Sequence, residues 1–357
     1  MSHHLVKRLR KAGFEALVVT VDTAVAPNRE CNVRNGLMLL FRRNRRNALH
    51  IARPAVLKTD LFSPIKEPRM NLDLHPIGKS FAAEIRTIDL RAGLTAAQTE
   101  AIDQALADYG VLVFRRQPLN DDQQQALIEG FGPPSLVQLN ELKSAKTAHP
   151  HFFDVTSVED DGSPIDPESA RGLYLRGNLL WHTDGSQAQP PIRLTALSAR
   201  QLPSAPPDTE YADMRAAYDA LTPERKARIE HSQVEHSIFY SRAKIGMKIS
   251  DWSADAAKTR PPVIHPLVRT HPRTGRKSLY LASHASHIIG MPVETGRALI
   301  EELTAHATQP QFVHAHQWQT DDLVMWDDSW TMHRAVPYDG NEPRVLRWSG
   351  VREVAAV

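Results

Sequence analysis

Cysteine is almost missing. Cys31 is the single one in 357 residues, so no internal disulfide can form, and the chain fits a reducing compartment. No run reaches the roughly 18 uninterrupted apolar residues of a membrane-spanning helix. The start, Met1-Ser2-His3-His4-Leu5-Val6-Lys7, has neither the apolar core nor the cleavage site of a signal peptide, and a cytoplasmic protein is expected. Aromatics are sparse at 6%, and the net charge is only +2. The basic run Arg42-Arg43-Asn44-Arg45-Arg46 is read as a solvated stretch, because no stacking aromatics or nucleic-acid motif accompany it. Nucleic acid and membrane are therefore not expected partners. What is present, 41% hydrophobic and 24% charged residues, is the profile of a globular chain with ample material for a core, and it excludes disorder, collagen and coiled coil.

The small net charge conceals a division. Residues 1–69 carry 14 Lys and Arg against 5 Asp and Glu, a net of +9, whereas the remainder carries 29 against 36, a net of −7. A shift of this size marks a boundary near residue 69. The first segment has one strand signal, Ala16-Leu17-Val18-Val19-Thr20-Val21, followed by Asp22, Thr23 and a Pro-Asn turn. The stretch 12–23, with Asn28-Arg29-Glu30 and Val33-Arg34-Asn35-Gly36, resembles part of the FMN-dependent α-hydroxyacid dehydrogenases, which are (β/α)₈ barrels. A complete barrel takes about 250 residues and eight strands; one or two units cannot close it or surround a flavin. Residues 1–69 are thus expected to be a basic extension, a barrel fragment left by fusion or by an upstream start. They are not expected to form an independent domain or to have flavin activity.

From Met70 the text reads like a fresh N-terminus. Asn71 to Gly78 begins a strand. Thr95-Ala96-Ala97-Gln98 fits a capping box opening a helix with Ile102, Ala105, Leu106 and Tyr109 on one face. Gly110 stops it, and Val111-Leu112-Val113-Phe114 is a short buried strand. A second helix follows Asn120. Beyond it lie short strand-like runs divided by Pro, Gly and Asp, with helical stretches near 213–232 and 292–306. Residues 155–170 read as a mobile loop. Many short strands in one long domain suggest a mainly β fold with helices attached.

Seventeen histidines have to be ranked, and His182 is the informative one, in Trp181-His182-Thr183-Asp184. On a strand, residues two apart share a face, so His182 and Asp184 can reach one cation. One more imidazole would complete the two-His-one-carboxylate set that suits Fe(II). Alone, His-x-Asp is a weak signal and more often a structural or surface pair. Far downstream, a strand and turn over Asp322–Asp327 leads into Thr331-Met332-His333-Arg334, and Arg344 lies eleven residues beyond His333. A guanidinium there can bind a carboxylate bidentately.

Close pair, distant histidine and following arginine resemble the taurine/2,4-dichlorophenoxyacetate dioxygenase (TauD/TfdA) family, and the resemblance covers residues 70–353. Val111 to Gln117, Phe131-Gly132, Asp208 to Tyr218, Pro266 to Pro272 and Ser278 to Leu281 carry it further. The resemblance implies a double-stranded β-helix (a cupin-like jelly roll) over residues 70–357, with His182, Asp184 and His333 as the catalytic iron ligands. It implies Thr209 and Arg344 on the C5 carboxylate of 2-oxoglutarate, and Asn178 in the substrate pocket. The implied reaction uses Fe(II), 2-oxoglutarate and O2, gives succinate and CO2, and hydroxylates a small organic molecule. Where the hydroxylated carbon bears an ether oxygen, the hemiacetal collapses and an aryloxyalkanoate ether is cleaved.

Three positions depart from the family pattern. The family's phenoxyacetate and taurine branches carry a substrate-gripping arginine four residues after the first; here that position is Trp348, which is expected to offer an apolar wall. The substrate's anion is then held elsewhere, or is absent. Arg347 should point to the opposite face. Pro206-Pro207 replaces a Gly-Gly turn and restricts φ before Thr209. Ser329 stands where arginine is usual. By spacing alone His149/His151, His284/His287 and His314/His316 could also hold metal, although solvent or structural hydrogen bonding is the usual fate of histidine. Two alternatives to the aryloxyalkanoate reading are an alkylsulfonate or sulfate-ester dioxygenase and a non-catalytic jelly-roll binding protein. The expected partner is a small-molecule substrate; a homo-oligomer is compatible with the family, but no interface is legible.

Overall fold

The computed structural model of the chain describes residues 41–43, 49–51, 71–78, 81–137, 150–252, 255–338 and 342–354. Contacts divide the chain into two compact units, Met1–Arg69 and Met70–Val357. In the first, Phe41–Arg43 and Leu49–Ile51 form an antiparallel pair with Phe41 opposite Ile51. The strand expected over 16–21, and Cys31, lie outside the described residues.

The second unit is mainly β with helices. Its principal strands are β1 (Leu74–Pro76), β2 (Ala83–Ile85), β3 (Val111–Phe114), β4 (Phe152–Thr156), β5 (Ile192–Gln201), β6 (Thr209–Asp213), β7 (Val313–His316), β8 (Leu323–Asp327), β9 (Thr331–Ala335) and β10 (Val345–Arg352). Seven form one sheet in the order β1-β2-β3-β8-β5-β10-β4, and β7-β6-β9 form a second. Only the β2–β3 pairing in the large sheet is parallel.

Alternation along the central strands explains how the layers stack. On β3, Leu112 and Phe114 join a core with Ile102 and Leu106 of helix α1 (Ala96–Tyr109) and Leu127 and Ile128 of helix α2 (Asp121–Phe131). Val111 and Val113 point the other way, into a core shared with Val324 and Trp326 of β8 and Tyr211 of β6. The large sheet is therefore covered on one face by helices and on the other by the second sheet, so its central strands are apolar throughout. Each Leu or Phe so buried contributes about 2–3 kcal/mol. Helix α1 begins with the expected capping box and α2 has one as well: the Thr95 and Asn120 side chains accept from the backbones of Gln98 and Gln123, whose side chains reciprocate. Such a cap is worth about 1 kcal/mol. Gly110 ends α1 at a φ of 78°.

Two local expectations change. The helical stretch near 213–232 is two helices, Met214–Asp219 capped by Asp213 and Pro223–Ile229 capped by Thr222, because proline is accepted at a helix start but breaks an interior. The stretch 155–170 begins inside β4 and ends at the helix Ala170–Arg176; between them Val158 bridges to Pro164. Among the described residues no helix is long and apolar enough to cross a membrane.

Candidate metal centre

His333 is the middle residue of β9 and pairs with Tyr211 of β6. His182 joins the same sheet by a two-bond bridge: its N–H donates to His333 O at 3.0 Å, and the His333 N–H donates back to His182 O at 2.8 Å. Residues directly opposite in an antiparallel pair show their side chains on one face, and the two ring centroids are 4.2 Å apart. Asp184 reaches the site differently from the expected strand alternation. The bridge stops at His182, and Asp184 opens a turn. The turn is fixed on both sides: the Thr183 hydroxyl is shared between Leu281 O and Thr331 O at 2.9 and 3.0 Å, and the Asp184 N–H donates to Asp328 Oδ1 at 3.0 Å.

One ligand atom from each of His182, Asp184 and His333 lies within 4.8 Å of the others. His182 Nε2 is 3.6 Å from Asp184 Oδ1, and His333 Nε2 is 3.8 Å from Asp184 Oδ2. The His182 Nδ1–H donates to Leu180 O at 2.7 Å, which leaves the Nε2 lone pair directed at the cluster. Burial lowers the His182 pKa; burial, then repulsion from His182, pushes His333 down to about 3. Both rings are neutral at pH 7, the form that binds a cation.

The carboxylate is held in turn. Trp348 Nε1–H donates to Asp184 Oδ2 at 2.8 Å, and Thr195 Oγ1 lies 3.2 Å from the same oxygen and 2.7 Å from Asp328 Oδ2. Asp328 is fully buried; burial, then the Asp184 charge, raises its carboxyl well above the usual range. Trp348 is thus more than the apolar wall expected of it. It does line the cavity, but its register opposite Leu197 on β5 and Phe153 on β4 places its polar edge on Asp184. Its neighbour Arg347 turns away to Asp154 and Asp121.

The same cavity, about 580 Å³, is lined by His182, Asp184, His333, Thr209, Arg344, Asn178 and Trp348. Thr209 keeps its place in the wall as the first residue of β6 despite Pro206-Pro207. Its Oγ1 accepts from Trp318 Nε1 at 2.9 Å, so its own proton remains available to donate. Arg344 is 5% exposed, and its Nε and Nη2 are buried without a hydrogen-bond partner. Burial lowers its pKa to about 10, which leaves it charged at neutral pH.

The competing histidines do not assemble a second metal group among the described residues. His149 lies outside them; His151 meets Ser135 O, His284 meets Ser186 Oγ, His287 meets Ser286 Oγ and His316 meets Asp322. Sequence reasoning missed Thr195, Asp328 and a cavity-lining guanidinium, Arg242. Asp328 had a signal, the acidic pair Asp327-Asp328 inside an apolar run; Thr195 and Arg242 had none.

Comparison with known proteins agrees with this geometry. A family model described as "Taurine catabolism dioxygenase TauD, TfdA family" matches residues 73–348, and one for FMN-dependent dehydrogenases matches residues 1–105. An α-ketoglutarate-dependent 2,4-dichlorophenoxyacetate dioxygenase of Cupriavidus pinatubonensis is 39% identical over 290 residues, covering 81% of this chain and 100% of that protein. An (S)-phenoxypropionate/α-ketoglutarate-dioxygenase of Sphingobium herbicidovorans is 33% identical, covering 77% of this chain and 92% of its own. The solved structure of AAD-2 with Mn(II) and N-oxalylglycine superposes with a TM-score of 0.72 at 40% identity, over 79% of this chain and 97% of that one. The chain belongs to the TauD/TfdA dioxygenase family.

Proposed function

We propose that the protein is an Fe(II)- and 2-oxoglutarate-dependent dioxygenase that hydroxylates a small organic acid and cleaves an aryloxyalkanoate ether. The observation that carries this reading is a single cavity holding two neutral imidazoles, one carboxylate and a buried, unpaired arginine. The donor set fits Fe(II): nitrogen and carboxylate donors suit that ion, and three protein ligands leave positions for other ligands. The two sheets with a common core support the finer description of the fold as a double-stranded β-helix, a cupin-like jelly roll.

In this reading His182, Asp184 and His333 hold the iron. Bound Fe(II) supplies the oxidising chemistry that uses O2 to couple 2-oxoglutarate decarboxylation, to succinate and CO2, with C–H hydroxylation. The protein's share is position and dryness. Leu180 O fixes the tautomer of His182, while Trp348 and Thr195 fix the Asp184 carboxylate. Arg344 and the Thr209 hydroxyl take the far carboxylate of 2-oxoglutarate, and Asn178 borders the substrate. Hydroxylation beside the ether oxygen gives a hemiacetal, whose collapse releases a phenol without any nucleophilic side chain.

The test is anaerobic titration of 2-oxoglutarate into Fe(II)-loaded protein. A weak visible charge-transfer band is expected, absent in His333→Ala; no band in wild-type protein that has bound iron would sink the proposal. A second expectation concerns Trp348. Trp348→Phe keeps an aromatic wall and removes one hydrogen bond to Asp184, so Fe(II) affinity should fall by about 10- to 100-fold, as for other groups that orient a metal ligand. Competition for Fe(II) with a chromophoric chelator reads this directly, and unchanged affinity would deny the indole an orienting role.

A further inference from the structure

A second cation in the cavity has no task in the mechanism above. Arg242 lies in the helix Ile238–Ala243 and is 5% exposed. Its Nε is buried without a hydrogen-bond partner, and its Nη1 reaches only Ser241 Oγ, at 3.3 Å. Among the described residues no carboxylate pairs with it, although most other buried or half-buried arginines have one, such as Arg193 with Asp103 and Arg269 with Glu353. A buried charge without a counter-ion is among the costlier features a fold can retain. The surroundings are nevertheless shaped to keep it. The Tyr174 ring lies 4.4 Å from its Cζ, and the guanidinium packs against Gly177, where a Cβ would come within 2.3 Å of Nη1 and push it aside. Arg242 and Asn178, one residue beyond Gly177, both line the cavity of the triad.

The charges in that cavity can be counted against the ligands. Among the described residues Asp184 is the only acidic side chain in the wall. If Arg344 and the metal take the two carboxylates of 2-oxoglutarate, an acidic substrate still brings one anion into a space where, among the described residues, Arg242 is the remaining fully buried guanidinium, Arg260 and Arg352 being only half-buried. Trp348 cannot receive it, since the indole is a donor already committed to Asp184. We propose that Arg242 binds the carboxylate of the substrate and sets the preference for an acid over its neutral analogue. This rests on the dioxygenase reading above. It places the anion at a residue of the helix Ile238–Ala243 rather than four residues after Arg344.

The test uses the full chain loaded with Fe(II) and 2-oxoglutarate under argon, with phenoxyacetate and phenoxyacetamide as probes and calorimetric Kd as the readout. Wild-type protein should bind the acid about a hundredfold more tightly than the amide, the scale of a charge-assisted bidentate pair. Arg242→Gln should raise the acid Kd by about the same factor and leave the amide Kd within about threefold. Arg242→Lys keeps the charge and loses the fork, so an intermediate loss of about tenfold is expected for the acid alone. Because an uncompensated charge is removed, Arg242→Gln should melt no lower than wild type. If it does not fold, the acid-specific loss in Arg242→Lys decides the question. Arg352 also lines the cavity, with a buried unpartnered Nε, and Arg352→Gln serves as the control, expected to keep the preference. Equal loss of acid and amide binding, an unchanged acid Kd, or collapse of the preference in the Arg352 variant instead would each overturn the assignment. So would a wild-type protein that shows the charge-transfer band but does not distinguish acid from amide. Absence of the band in wild-type protein would instead defeat the dioxygenase reading itself, and this proposal with it.

Discussion

Arg344→Gln is expected to raise the dissociation constant for 2-oxoglutarate by about a hundredfold to a thousandfold while leaving Fe(II) affinity near the wild-type value. Arg344 is 5% exposed, two of its guanidinium nitrogens are buried without partners, and no ion pair involves it among the described residues. Its position costs the empty protein stability, because the charge has left water without meeting a counter-ion. A carboxylate entering beside it recovers that cost through two charge-assisted hydrogen bonds, each worth about 1.5–3 kcal/mol. Thr209 adds a neutral donor on the same wall, so Thr209→Val should cost only about tenfold. The sign of the stability change separates this account from a structural one. If Arg344 is held for a ligand, Arg344→Gln should melt at or above the wild-type temperature without 2-oxoglutarate, and 2-oxoglutarate should stabilise wild type far more than the variant. Titration of the charge-transfer band gives the affinity, and thermal melts with and without the cosubstrate give the linkage. An unchanged affinity, or a variant melting several degrees lower in the absence of ligand, would remove Arg344 from the cosubstrate site.

What could be read from the sequence follows the range of the interaction involved. The capping boxes at Thr95 and Asn120 and the strand Val111–Phe114 depend on neighbours within a few residues, and they form as the local pattern dictates. The approach of His182, Asp184 and His333 was legible because residue type restricts what such a set can do, even though Asp184 arrives through a turn and not along a strand. The turn depends on Asp328, 144 residues away, and nothing near Asp184 in sequence announces it. Trp348 illustrates the same limit. A missing arginine was visible at that position, but the hydrogen bond to Asp184 is set by strand register in the large sheet. Arg242 is invisible for a further reason: its distinguishing property is the absence of a partner, which exists only once the fold has chosen every other residue's neighbours.

Acidification to pH 5 should remove about 4 kcal/mol of stability through His236 and His314 alone. His236 is fully buried, and neither ring nitrogen has a hydrogen-bond partner. It packs edge-on against His265, with ring centroids 5.3 Å apart. Burial, then the charges of His265 and Arg269, pushes its pKa from an ordinary 6.5 to about 3. For His314, burial, then His316 and Arg115, gives about 4. Both folded values lie below the unfolded one. Between pH 6.5 and about 4 the unfolded chain therefore takes up protons that the folded one refuses, and stability falls as pH falls. At pH 5 each histidine accounts for about 2 kcal/mol, so the pair removes a large fraction of the roughly 5–15 kcal/mol that holds a typical domain together. The measurement is urea unfolding of metal-free protein at pH 7.5 and pH 5.0, so that release of iron does not add to the effect. His236→Phe fills the site without a titrating group, and its loss between the two pH values should be smaller than that of wild type by about 2 kcal/mol. Equal losses in the two proteins would mean that His236 either stays neutral in the unfolded chain or gains its proton without unfolding. The first is excluded by the ordinary pKa of an exposed imidazole. The second would require a partner for the ring, and among the described residues neither nitrogen has one.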